Sequence, residues 1–268
     1  MVIDAVTIIA VSLVLLSASV SDVRSREVDD RHWIVLLCLA VIRGVAVFES
    51  YVSIFLAAGI ILVGLYMFEE SVVGIKACAI LAVSAIAFLA GFLLSGSVIP
   101  VIVLTMTSFL LALYHSGVIR GGADVKALIA LTMVFPTYPE VCCCLWPPIY
   151  PEGFVFNPAF SVMFIALIIS CMSPVIICCC NGGRGFALSS YEMPVEDARK
   201  AFVWPVQDFN QGAVVRRRIS DENDEIYDRL EQNGIDHVRV TPMIPFILPI
   251  TIGFIFTMVL GCPLFAVI

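Results

Sequence analysis

Charge is what this chain has least of. Only 14% of its 268 residues are Asp, Glu, Lys or Arg, while 60% are apolar and the mean hydropathy is +1.02. Soluble domains carry about a quarter charged and about half apolar residues, so a protein with a conventional solvated surface is excluded. Basic residues are scarcer than acidic ones, 15 against 22, for a net charge of −7. No basic patch gathers to meet a phosphate backbone. Nucleic acid is thus excluded as a partner, and membrane lipid takes that place. The ten cysteines form no CxxC pair and no Cys/His spacing suited to zinc. Nor do His32, His115 and His237 form an HExxH or Ser/His/Asp arrangement. No metal and no cofactor is expected. The triplets Cys142 to Cys144 and Cys178 to Cys180 end apolar segments and read as small buried side chains, with lipidation at Cys178 to Cys180 as the alternative.

What is present is apolar sequence in lengths that match a bilayer, which needs about 20 helical residues per crossing. Eight stretches qualify, at 2 to 21, 33 to 49, 51 to 68, 75 to 94, 98 to 118, 124 to 145, 156 to 180 and 243 to 265. The first lacks a basic start and runs into Asp22-Val-Arg24, so it reads as a retained span rather than a secretory leader. Loops rich in Lys and Arg stay cytoplasmic. Arg24, Arg26, Arg31, Lys76, Arg120, Arg184 and Arg216 to Arg218 all fall on one side of an eight-span chain. The loops at 49 to 51, 95 to 97 and 146 to 155 contain neither Lys nor Arg. Both termini are therefore expected outside. The predicted fold is an all-α polytopic helix bundle in the cell membrane: 1 to 180 a transmembrane domain, 181 to 240 a small cytoplasmic insert and 241 to 268 a final span. The insert carries eight Lys/Arg and eleven Asp/Glu, with charge spacing that predicts helices at 194 to 202 and 221 to 232. It serves either as a solvated connector or as a substrate-binding element.

An ionisable side chain in a membrane segment is a functional candidate by default, because burying its charge is costly. Two stand out. Asp22 closes the first stretch in Ser21-Asp22-Val-Arg24-Ser-Arg26-Glu27, and Asp124 opens the sixth in Gly121-Gly122-Ala123-Asp124-Val-Lys126. The first stretch runs inward and the sixth outward, which puts both carboxylates on the cytoplasmic side. Two carboxylates held close share one proton, so that one acts as base on a water while the other acts as acid. The glycine pair offers backbone freedom and close approach. Lys126 either stabilises an ionised Asp124 or carries its ammonium to the interface.

These residues resemble the GxGD membrane aspartic proteases, specifically the archaeal preflagellin and prepilin peptidases. The resemblance rests on Ser21 to Asp30 followed by Trp33-Ile34, on Gly121 to Leu128, and on Val240-Thr241-Pro242-Met-Ile-Pro245-Phe-Ile-Leu-Pro249, similar to the lead into that family's last helix. Strict GxGD would place glycine where Ala123 stands; the looser Gly-x-hydrophobic-Asp form is met. Three stretches lie between 51 and 118 where the resemblance implies one, and an even number of insertions keeps Asp124 on the same side. The resemblance implies a peptidase that cuts the short basic leader from pilin-like or archaellin precursors at the cytoplasmic face, with Asp22 and Asp124 catalytic. Glu27, Asp29 and Asp30 would attract the leader's basic residues, or form a hydrated acidic loop, and the spans would dock the precursor's apolar helix. The rival readings are a cation- or proton-coupled transporter, which midplane broken helices or inverted repeats would favour, and a presenilin-like intramembrane protease.

Overall fold

The computed structural model describes residues 2–48, 50–69, 73–119, 121–139, 157–172, 174–175, 190–210, 213–216 and 223–261. Both cysteine triplets, Arg120, Arg184, Arg217, Arg218, the loop 146–155 and the ends of the sixth and seventh apolar stretches lie outside the described residues.

A first compact unit comprises residues 1–167 and 246–268. Its helices are α1 (Val2–Ser25), α2 (Arg31–Val47), α3 (Ser50–Phe68), α4 (Ile75–Ser95), α5 (Ile99–His115), α6 (Gly122–Val134) and α7 (Pro158–Ser170), with α10 (Ile247–Leu260) last in the chain. A helix stands in each of the eight apolar stretches. Three of them, α1, α3 and α4, are long and apolar enough to cross a membrane, and α5, α7 and α10 are shorter apolar helices. On α1, Val2, Val6, Ile9, Leu13, Leu16 and Val20 are exposed at three- and four-residue spacing, an apolar stripe that water would disfavour and lipid accepts. This is a membrane protein.

Local chemistry sets the helix ends. Gly96 adopts φ 70° and closes α4, its N–H donating to the Phe92 carbonyl at 2.8 Å. Pro100 then sits in the first turn of α5, where its missing N–H costs no helical bond. Helices α3 and α4 pack tightly because a Cβ at Gly59 would lie 2.4 Å from the Phe88 ring, the small-residue contact by which membrane helices approach. Helix α2 packs against α1, α3 and α6, and α10 packs against α1 and α6. Trp33, Leu36, Leu15 and Phe254 fill the space between them. Helix α6 is buried on every side from Ala127 through Val134, a run apolar but for Thr132, whose hydroxyl donates to the Leu128 carbonyl at 2.9 Å.

The second unit spans residues 168–245. It contains β1 (Tyr191–Pro194), α8 (Val195–Lys200), β2 (Val203–Pro205), β3 (Gln207–Asn210), β4 (Ala213–Arg216), α9 (Asn223–Gln232) and β5 (His237–Pro242). Strand β5 lies between β1 and β2 in an antiparallel sheet, with Met193 opposite Val238 and Trp204 opposite Thr241, while β3 and β4 form a hairpin. Its separate core joins Val195, Ala198, Val203, Val238 and Val240 to Ile226, Tyr227 and Leu230 of α9. This corrects the all-α expectation. Helices occupy 195–200 and 223–232, but strands flank them. The physical reason is a period-two pattern: Val238 and Val240 point into the core while His237 and Arg239 point away.

Candidate active site

Asp22 lies in the last turn of α1, only 8% exposed. Its Oδ2 accepts a hydrogen bond from the Ile247 N–H at 3.1 Å. Helix α10 has Phe246 at its N-cap, with no side chain capping its first turn; a carboxylate from a helix 225 residues earlier satisfies one of those free N–H groups instead. One turn further along, Ser19 Oγ lies 2.7 Å from Thr251 Oγ1, and Thr251 donates to main-chain oxygens at 2.9 to 3.2 Å. The lead into the last helix, selected from its proline-rich sequence, thus contributes a backbone donor to Asp22.

The chain turns sharply after Asp22. The Arg26 N–H closes the helix on the Asp22 carbonyl at 3.1 Å with φ 59°, an unusual conformation for a residue with a Cβ. The Ser21 and Ser25 hydroxyls donate to the Glu27 carbonyl at 2.8 and 3.1 Å and hold the turn. Glu27 and Asp29 are exposed. Asp29 also accepts the Arg31 N–H at 2.9 Å at the start of α2. Asp30 is committed elsewhere, with both of its oxygens accepting from Lys126 Nζ at 2.7 and 2.8 Å. Lys126 also lies 5.2 Å from the centre of the Phe68 ring. Its ammonium therefore joins the start of α2 to the start of α6.

Asp124 is the third residue of α6, after Gly122 and Ala123, with Gly121 at the N-cap. Ala123 packs against the apolar core. The glycine pair does not do what its sequence suggests. Gly121 has φ −74°, and neither glycine adopts a positive φ. What Gly121 supplies is room: a Cβ there would lie 2.0 Å from Asp124 Oδ2 and 2.7 Å from its Cγ. The carboxyl folds back over its own helix N-terminus, where the dipole favours negative charge. Asp22 and Asp124 lie close enough to interact electrostatically, although 102 residues separate them. Two carboxylates within electrostatic reach, one closing α1 and held by a main-chain N–H, the other opening α6, can pass a proton to and from a bound water.

Two cavities lie within the same unit. A small one of about 220 Å³ is lined by Tyr66, Tyr114, Gly122 and Lys126; Tyr66 Oη is 2.9 Å from His115 Nε2, which gives that histidine a structural partner. An apolar groove of about 620 Å³ runs between α2 and α3, lined by Ile34, Cys38, Val41, Ile61, Phe68 and Glu69. One feature lies outside the sequence-based site altogether. Asp4 and Arg43, 6% and 2% exposed, form an ion pair at 2.9 Å inside the helix bundle.

Comparison with known proteins bears on what this arrangement does. Residues 185–262 match the family model described as Archaeal Peptidase A24 C-terminus Type II. The chain is also similar to the preflagellin peptidase of Methanococcus maripaludis (strain C6), with 25% identity covering 93% of each protein. It shares 24% identity with the preflagellin peptidase of Methanocaldococcus jannaschii, over 92% of this chain and 90% of that one. The chain is a peptidase related to the archaeal preflagellin peptidases. The family match begins inside the unit of short strands and ends beyond α10, so the mixed insert and the helix that reaches Asp22 are both part of the likeness.

Proposed function

We propose that the chain is an aspartic endopeptidase that removes the short basic leader of archaellin or pilin-like precursors at the cytoplasmic membrane face, with Asp22 and Asp124 as its catalytic pair. The observation that carries the reading is the placement of Asp22 in the last turn of α1 and Asp124 in the first turn of α6, two helices distant in sequence that both pack on α2 and α10 and bring the carboxylates within electrostatic reach. In the resting pair one proton is shared. The ionised carboxylate takes a proton from water as the water oxygen attacks the scissile carbonyl, and the protonated carboxyl hydrogen-bonds the carbonyl oxygen. When the tetrahedral intermediate collapses, the proton passes to the leaving nitrogen. The leader is released as a carboxylic acid whose proton passes to the freed amine, leaving a carboxylate on the leader and an ammonium on the mature chain, and the pair again holds one proton.

Eight helices with Lys and Arg concentrated in alternate loops support a multi-pass chain whose Asp22 and Asp124 face the cytoplasm. The groove between α2 and α3 suits the apolar helix that follows the leader, and Glu69 beside Phe68 supplies negative charge where the basic leader would emerge. Exposed Glu27 and Asp29 add to that field. The test is cleavage of a basic-leader precursor by the purified chain in detergent, compared with Asp22→Asn and Asp124→Asn. Cleavage by the wild type and its loss in both folded variants supports the pair. Cleavage by both variants overturns it and makes ion transport the next assay.

A further inference from the structure

We infer that Arg43 is a positioning residue for the catalytic pair, bracing at one end the two helices that carry Asp22 and Asp124 at the other. The inference rests on the peptidase reading above. Arg43 belongs to α2 and its guanidinium is buried. Nε and Nη2 donate to Asp4 Oδ1 at 3.0 and 2.9 Å, and Nη1 donates to the Val134 carbonyl at 3.0 Å. The rings of Phe135 and Phe48 flank it, with centres 5.0 and 5.8 Å away. Asp4 lies in the first turn of α1, and Val134 is the last residue of α6. One guanidinium thus meets the negative group favoured at a helix N-terminus and a carbonyl left over at a helix C-terminus.

The geometry makes this more than an ordinary contact. Helices α1 and α6 make little direct contact: α1 packs on α10 and α2, and α6 packs on α2 and α5 with a smaller contact to α10, so the spacing of Asp22 and Asp124 depends on what their shared neighbours α2 and α10 hold. At the aspartate end, α10 holds Asp22 through the Ile247 N–H. At the far end, α2 holds both rods through Arg43. From the brace to the carboxylates the chain rises about 27 Å along α1 and about 15 Å along α6, at 1.5 Å per residue. A helix that tilts at the brace moves its carboxylate at the other end. Stability alone is a weak reason for such a pair, because well-packed apolar side chains in place of a buried ion pair are often no less stable. Fixing the relative position of two helices is a task that a forked, multiply bonded guanidinium performs and an apolar contact does not.

The experiment measures precursor cleavage by the full chain in detergent for wild type, Asp22→Asn, Arg43→Met, Arg43→Lys and the double variant Asp4→Asn/Arg43→Gln. Arg43→Met is expected to lower kcat about ten- to a hundredfold, as a misplacement of about 1 Å does, with KM for the precursor within about twofold of wild type. The two limbs of its pH–rate profile should move, because the separation of the carboxylates sets how strongly they titrate together. Arg43→Lys should recover part of kcat. If Arg43→Met does not fold, the double variant leaves no unpaired buried ion and carries the same expectation. A folded variant with wild-type kcat and pH profile overturns the proposal. Wild-type cleavage that Asp22→Asn abolishes supports the peptidase reading by itself, so a null result at Arg43 then strikes the brace alone. A wild type that cuts nothing brings down both.

Discussion

Asp4 and Asp22 sit eighteen residues apart on one helix, both nearly out of reach of solvent at 6% and 8% exposure. Their companions differ. Asp4 faces a guanidinium that is charged at every relevant pH and is itself held on three sides. Asp22 faces one main-chain N–H and, nearby, a second carboxylate, together with the Arg26 guanidinium that donates to its main-chain carbonyl at 3.4 Å. A buried carboxylate with a fixed cation is a strut; one whose neighbour is another carboxylate can exchange a proton and act as a reagent. Burial of an acid inside a membrane bundle therefore does not mark a catalyst without an account of what surrounds it.

The contrast is broken most severely by removing the charge at each end. Asp22→Asn should lower kcat by at least about a thousandfold, the upper part of the range for losing a general acid or base, while leaving thermal unfolding in detergent close to wild type. Asp4→Asn should act first on stability, with a fall in kcat no larger than the about ten- to a hundredfold expected from loosening the brace. It leaves the Arg43 charge buried without its carboxylate, which costs about 3 to 5 kcal/mol, and cleavage should remain measurable in whatever fraction folds. Equal effects at the two ends would erase the distinction between strut and reagent.

Gly121→Ala sharpens the comparison at the partner carboxylate. Its Cβ would lie 2.0 Å from Asp124 Oδ2, so the carboxyl must swing away. The expected result is a fall in kcat of about ten- to a hundredfold with an unchanged melting temperature. An alanine variant of full activity would mean that the carboxyl works equally well elsewhere. Smaller effects belong to substrate capture. Cys38→Trp narrows the groove beside α2 and should raise KM severalfold for a precursor with its apolar helix, but not for a short leader peptide. Equal KM values would leave the groove to lipid. Smallest of all is the acidic loop. Reversing Glu27 and Asp29 to lysine should raise KM for basic leaders by a few-fold at low salt, a difference that closes as salt shortens the reach of charge to about 3 Å at 1 M.

The helices were legible because apolar runs near the bilayer length end at charged or glycine-rich breaks, as at Asp22-Val-Arg24 and Ser95-Gly96-Ser97. Both aspartates stand out in the sequence because so few acids interrupt those runs. Arg43 is the converse case. It is the only charged residue between Trp33 and Phe48, a signal open to view, yet its partners lie on two other helices and follow from packing that one sequence does not specify. The strands were hidden for another reason. Four-residue strands such as Tyr191–Pro194 offer too few alternations to outweigh the charge spacing around them, and Val238 and Val240 reveal their side only once α9 lies across them. Gly121 was legible as a necessary glycine but not for its cause, since the room it leaves is for a side chain three residues away.

The donor that holds Asp22 belongs to the peptide backbone of residue 247 and not to the isoleucine side chain. Most point mutations at that codon therefore alter the packing around α10 without deleting the hydrogen bond, and proline alone removes the N–H outright. The carboxylate is anchored by the one part of residue 247 that genetic drift scarcely reaches, which leaves its buried side chain free to follow changes in the helices packed around it.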